Sequence, residues 1–259
     1  MRYKIAHDAR PQAMSLLIAA ALSVALWFIP YAGLLTYPFK LFVTFIHEGG
    51  HALATVLTGN SVRSLSVAFD TSGLTETYVA PGGRFAQFFI ASAGYLGAIS
   101  FGALLLWLVR HRVKARVVLA GSALTILALT LVFGFIVPLT DFSLQPFTVF
   151  AGVIISAALL AAARYLPLRA ANFLVGFLAV QCVLNAIFDL KTLAMLSLTS
   201  DAGTDAANMA AATGLPAILW AVLWAAIAFV IVSIALRAYA VARSKPSQPD
   251  LPFEDPLEV

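Results

Sequence analysis

Phe45-Ile46-His47-Glu48-Gly49-Gly50-His51-Ala52 sets three ionisable side chains inside an apolar run that extends from Leu41 to Leu57. The two histidines are four residues apart, so on a helix they share one face. Two neutral imidazoles in that position can bind one Zn²⁺, and the glutamate beside them can take a proton from a water on the metal. The flanking residues favour hydrocarbon, which puts this site within a bilayer, where ionisable groups are costly and mark function. The bland alternative is a pair of histidines hydrogen-bonding across helices.

The rest of the chain agrees with a membrane setting. Of its 259 residues 61% are hydrophobic and 11% charged, against about 25% charged in soluble domains. The pattern predicts an all-α polytopic membrane protein of about seven transmembrane helices, with a short β-hairpin after the metal-binding helix. The expected spans are 14–29, 39–58, 86–109, 117–137, 147–163, 171–197 and 215–242. The first could imitate a signal peptide; its weak cleavage site and the many later spans make it a retained helix. One cysteine, Cys182, excludes a disulfide framework and a thiolate metal site. The net charge of +4 comes from basic residues clustered in short connections. That clustering concerns membrane orientation rather than nucleic acid. Residues 1–243 are expected to form a single transmembrane domain and 244–259, polar and acidic at the end, a disordered tail.

Between the second and third spans the period changes. Leu65, Val67 and Phe69 alternate with Ser64, Ser66 and Ala68; Asp70-Thr71-Ser72-Gly73 is a turn cluster, and Leu74-Thr75-Glu76-Thr77-Tyr78 follows. This reads as a hairpin, whose backbone is tolerable at membrane depth only if protein or a wet cavity surrounds it. In the third span, Ala91-Ser92-Ala93-Gly94-Tyr95-Leu96-Gly97-Ala98 is rich enough in small residues to let two helix backbones approach closely. Tyr37 has the look of an interfacial anchor.

Zinc needs a third protein ligand and an open fourth position. His7 and His111 lie in basic segments and are poor candidates. Gln181, Asn185 and Asp189 recur every four residues and form one polar stripe on the sixth span. A lone buried carboxylate needs a cation or a proton, so Asp189 is the expected third ligand. For Gln181 and Asn185, interhelical hydrogen bonding is an equal alternative. Lys191 falls on another face and can snorkel to the interface. Asp201 and Asp205 read as loop or helix-cap residues, a direct metal role for Asp201 being the lesser alternative, and Glu76 as a solvated side chain.

These separated pieces together resemble the site-2 protease family of intramembrane zinc metallopeptidases, in its compact branch without a PDZ domain. The resemblance covers about residues 42–235. It rests on His47-Glu48-Gly49-Gly50-His51-Ala52, on the hairpin with Gly73-Leu74-Thr75 and Pro81-Gly82-Gly83, and on Ala93-Gly94-Tyr95-Leu96-Gly97. Phe188-Asp189-Leu190, Ser200-Asp201-Ala202, Trp220 and Trp224 complete it. It implies His47, His51 and Asp189 as zinc ligands and Glu48 as general base. It also implies a membrane-protein substrate and residence in the lipid bilayer of a bacterial cell membrane, while the charge clustering already argues against a nucleic-acid partner. The chain departs from the family pattern around Asp189, where it has neither the expected proline nor a glycine after the aspartate. In the implied mechanism Glu48 activates a water against a peptide carbonyl, Asn185 hydrogen-bonds the substrate, and the hairpin offers an edge strand to an unwound substrate. The rival readings are a metal carrier and a regulatory scaffold that binds metal without proteolysis.

Overall fold

The computed structural model describes residues 10–111, 113–140, 142–199 and 204–240. The histidine motif lies in the second half of α2 (Gly33–Leu57), which follows α1 (Arg10–Trp27). The helix starts before Pro38 rather than after it. Near a helix start a proline removes only one intrahelical bond, so the apolar run is extended, not broken. Phe42, Phe45 and Ala52 are buried on the same helix as Glu48 and His51, so the face that carries the chemistry is also packed.

Two strands follow, β1 (Ser61–Val67) and β2 (Gly73–Tyr78), paired antiparallel with Val67 opposite Gly73 and Ser61 opposite Tyr78. The hairpin is where the alternation placed it. Leu65 and Val67 are buried, while Phe69 in the turn is exposed. Asp70 Oδ1 accepts from the Ser72 amide (3.0 Å) and hydroxyl (2.6 Å). These bonds hold its carboxyl below the usual carboxylate range. The turn is tied to α2: Tyr37 donates its hydroxyl to the Phe69 carbonyl and Thr44 to the Thr71 carbonyl, each at 2.8 Å. Tyr37 thus fastens the hairpin.

The remaining elements are α3 (Arg84–Arg110), α4 (Ala115–Leu129) and α6 (Pro146–Tyr165), then α7 (Leu168–Thr199), α8 (Asp205–Thr213) and α9 (Ala217–Ala240). A π-helical stretch, Thr130–Ile136, and a last turn α5 (Val137–Leu139) extend α4. α3 packs directly on α2. A Cβ on Gly50 would strike the Ala93 carbonyl, and one on Gly97 would lie 3.4 Å from the Gly50 Cα. The small-residue run of α3 does bring the two backbones together. On α9, Leu219, Phe229 and Ile234 are exposed, as lipid-facing side chains are.

Among the described residues, five helical segments are long and apolar enough to cross a membrane: Arg84–Arg110, Ala115–Leu139, Pro146–Tyr165, Leu168–Leu193 and Ala217–Ala238. The expectation was about seven. α2 carries Lys40, His47, Glu48 and His51, which dilute its hydrocarbon character, and in α1 the apolar stretch among the described residues is Met14–Leu26. The tail assigned to 244–259, as well as His7 and Asp201, lies outside the described residues.

Candidate functional site

α2 presents His47, Glu48 and His51 to a cavity of about 820 Å³. Its walls are β2 from Gly73 to Thr77, Tyr95 of α3, Asp189 of α7, and Asp205 and Asn208 of α8. The His47 and His51 Nε2 atoms are 3.1 Å apart. Asp205 Oδ2 lies 3.5 Å from the first and 3.3 Å from the second. Donor atoms of these three residues lie within 4.8 Å of one another; among the described residues they form the one His/Cys/Asp/Glu group placed to hold a metal.

Each donor is held from behind. His51 Nδ1 lies 2.6 Å from the Ile90 carbonyl; it can only donate there, which leaves the Nε2 lone pair facing His47 and Asp205. The His47 ring stands edge-on to Tyr95, centroids 4.6 Å apart. Tyr95 stacks on Trp224, whose indole N–H donates to Ser92. Asp205 opens α8, where the Thr204 hydroxyl accepts from the Ala207 amide and caps the helix. Gly94 completes the cradle: a Cβ there would run into Nε2 of both histidines.

Glu48 is buried and has a partner that the sequence did not announce. Thr75 of β2 donates to Glu48 Oε2 at 2.7 Å and reaches the Glu48 carbonyl at 3.0 Å. Gly73 lies against the same carboxylate, where a side chain would collide with it. The hairpin thus orients the glutamate.

The polar stripe of α7 divides. Gln181 donates to Ser23 of α1 at 3.1 Å. The Asn185 amide donates to Gln181, to its carbonyl at 2.9 Å and its side-chain oxygen at 3.1 Å. Asn185 does not line the cavity. Asp189 does, but it stands outside the group of converging donors, and the carboxylate facing both imidazoles belongs to Asp205. Glu76 accepts from Ser64 and lies 3.9 Å from Arg63 at the hairpin surface.

Sequence reasoning missed Asp205, Thr75 and Tyr95. For Asp205 the sequence offered only that Asp205 and Asn208, three residues apart in a short helix, share a face; what that face meets is set by long-range packing.

A family model described as peptidase M50B-like matches residues 16–235. The chain belongs to that family. M50B-like membership makes it one of the site-2 protease-type, metal-dependent peptidases, and its apolar helices make it an integral membrane protein. A search of curated proteins and a search of solved structures returned no match.

Proposed function

We propose that this M50B-like protein is an intramembrane zinc endopeptidase, with His47, His51 and Asp205 as ligands and Glu48 as general base. The observation that carries the reading is the convergence of those three donors beside a buried glutamate whose orientation is fixed. The donor set fits zinc. Ligands at about 2.0–2.2 Å in tetrahedral array stand roughly 3.3–3.5 Å apart, and the three separations here are 3.1, 3.3 and 3.5 Å. Two imidazole lone pairs and a carboxylate facing one another also call for a cation between them. Asp189 and Asn185 stay outside the proposed set, the first because Asp205 takes the ligand's place, the second because Gln181 engages its amide.

Zinc held there would make a water acidic near neutral pH and polarise a carbonyl. The chain's own residues do the remainder. Glu48, oriented by Thr75, takes the proton of the attacking water and returns it to the departing amine. The substrate is a membrane-protein segment in extended form, since a helix hides its carbonyls. The hairpin favours such a guest at one edge. On the β1 side Thr148 of α6 covers the Val67 amide and carbonyl, at 2.9 and 3.2 Å. On the β2 side no further strand pairs among the described residues, and the strand lines the cavity. An extended peptide added there would run past Glu48.

Glu48→Gln tests this. The variant should keep its zinc and lose cleavage of a model membrane substrate by about 10²–10⁴-fold, the usual share of general acid–base catalysis. Cleavage at the wild-type rate would rule out the mechanism.

A further inference from the structure

Tyr95 has a feature that packing does not explain. Its ring is largely covered, at 8% exposure for the residue. One face stacks on Trp224 and the ring stands edge-to-face with His47. A phenylalanine would make both contacts equally well. The hydroxyl is the surplus. It has no hydrogen-bond partner among the described residues, and it is not among the fully enclosed polar atoms left without one. Tyr95 lines the cavity, and its hydroxyl is not shut off from solvent-accessible space. Glu48, Asp189 and Asp205 line the same cavity. All three accept hydrogen bonds when ionised, so the cavity is rich in acceptors, and the neutral phenol O–H is a donor among its lining residues.

Hydrolysis creates negative charge in this cavity. When the water oxygen bonds to the peptide carbon, the carbonyl π pair moves to oxygen and Glu48 takes the water proton. On collapse the pair returns, the C–N bond breaks, and the proton passes from Glu48 to the amine. In between, the carbonyl oxygen carries a full charge and needs a donor already in place. We propose that the Tyr95 hydroxyl is that donor and hydrogen-bonds the oxyanion of the tetrahedral intermediate. The inference rests on the peptidase reading above. Tyr95 is suited to the part because it need not move. Trp224, itself held by Ser92, fixes the ring plane, and the contact with His47 ties the phenol to one side of the metal-ligating pair.

The test is Tyr95→Phe in the full-length, detergent-purified protein, with three readouts. Zinc content should equal that of wild type, because ring packing on His47 is retained. kcat on a model membrane substrate should fall by roughly 10²-fold, as for removal of one oxyanion donor, with KM little changed. Affinity for a phosphinic peptide, whose tetrahedral centre mimics the intermediate, should fall by a similar factor, while an uncleaved peptide of the same sequence binds as before. Unchanged kcat and phosphinate affinity would overturn the inference and leave the peptidase reading intact. Loss of zinc in Tyr95→Phe would also overturn it, by making the residue only a wall for His47. A wild-type protein that neither binds zinc nor cleaves would remove the peptidase reading, and this inference with it.

Discussion

Gly94→Ala is the smallest change that should empty the site. The added methyl would collide with Nε2 of His47, Nε2 of His51 and Cε1 of His47. Neither ring can retreat freely. His51 is pinned through Nδ1 to the Ile90 carbonyl at 2.6 Å, and His47 is backed by Tyr95. Moving α3 outward is the other escape, but the Ala93 carbonyl already rests on Gly50, and the two helices would have to separate together. One methyl forced into a packed interior costs about 1–3 kcal/mol. Here the collision falls on two donors of one metal, so most of that cost should appear as lost metal affinity. At about 1.4 kcal/mol per tenfold, zinc should bind roughly 10–100-fold more weakly. The assay is competition of purified protein against a fluorescent zinc chelator, with thermal unfolding in detergent followed alongside. Gly97→Ala is the control: its Cβ would meet only the Gly50 Cα at 3.4 Å, and it should keep wild-type affinity. Wild-type zinc affinity in Gly94→Ala would refute the assignment of the two Nε2 atoms as donors.

Other perturbations follow from the same contacts. Thr75→Val keeps the shape of the side chain but removes the hydrogen bond to Glu48. A bond to a charged group contributes about 1.5–3 kcal/mol, so kcat should drop by about tenfold or more, with zinc content unchanged and Thr75→Ser restoring activity; a wild-type rate in Thr75→Val would mean that Glu48 needs no such orientation. Tyr37→Phe combined with Thr44→Val releases the hairpin turn from α2. Steady-state kinetics should show a raised KM, while zinc content stays the same. Gly50→Val drives a side chain into the Ala93 carbonyl, and should lower the unfolding temperature in detergent more than any substitution on the lipid-facing side of α9.

Much of this was legible in the sequence, for reasons that can be named. His47, Glu48 and His51 could be placed because a local helix fixes residues one turn apart. The hairpin could be placed because alternation and a turn cluster are local signals too, and the run from Ala91 to Ala98 announced a close helix contact. What could not be read is what depends on long-range approach. Asp189 drew attention because Gln181, Asn185 and Asp189 make a regular stripe, yet the first two hold α1 and each other, and only the stripe's end reaches the cavity. Asp205, in a short segment of helix-cap character, looked like surface. It meets the histidines at the start of α8, a short helix that ends at Gly214 in a left-handed conformation, with Pro216 before α9. Trp220 then ties α9 back to Thr213 and Trp224 ties it to Ser92. The span count was harder for a related reason: the residues that make α2 functional also make it less apolar.

The central claim is that His47, His51 and Asp205 hold one metal ion, and the direct measurement is elemental analysis of detergent-purified wild type, Asp205→Ala and Asp189→Ala. The account predicts close to one equivalent of zinc in wild type and in Asp189→Ala, and little in Asp205→Ala. Full occupancy in Asp205→Ala, with an empty Asp189→Ala, would contradict it.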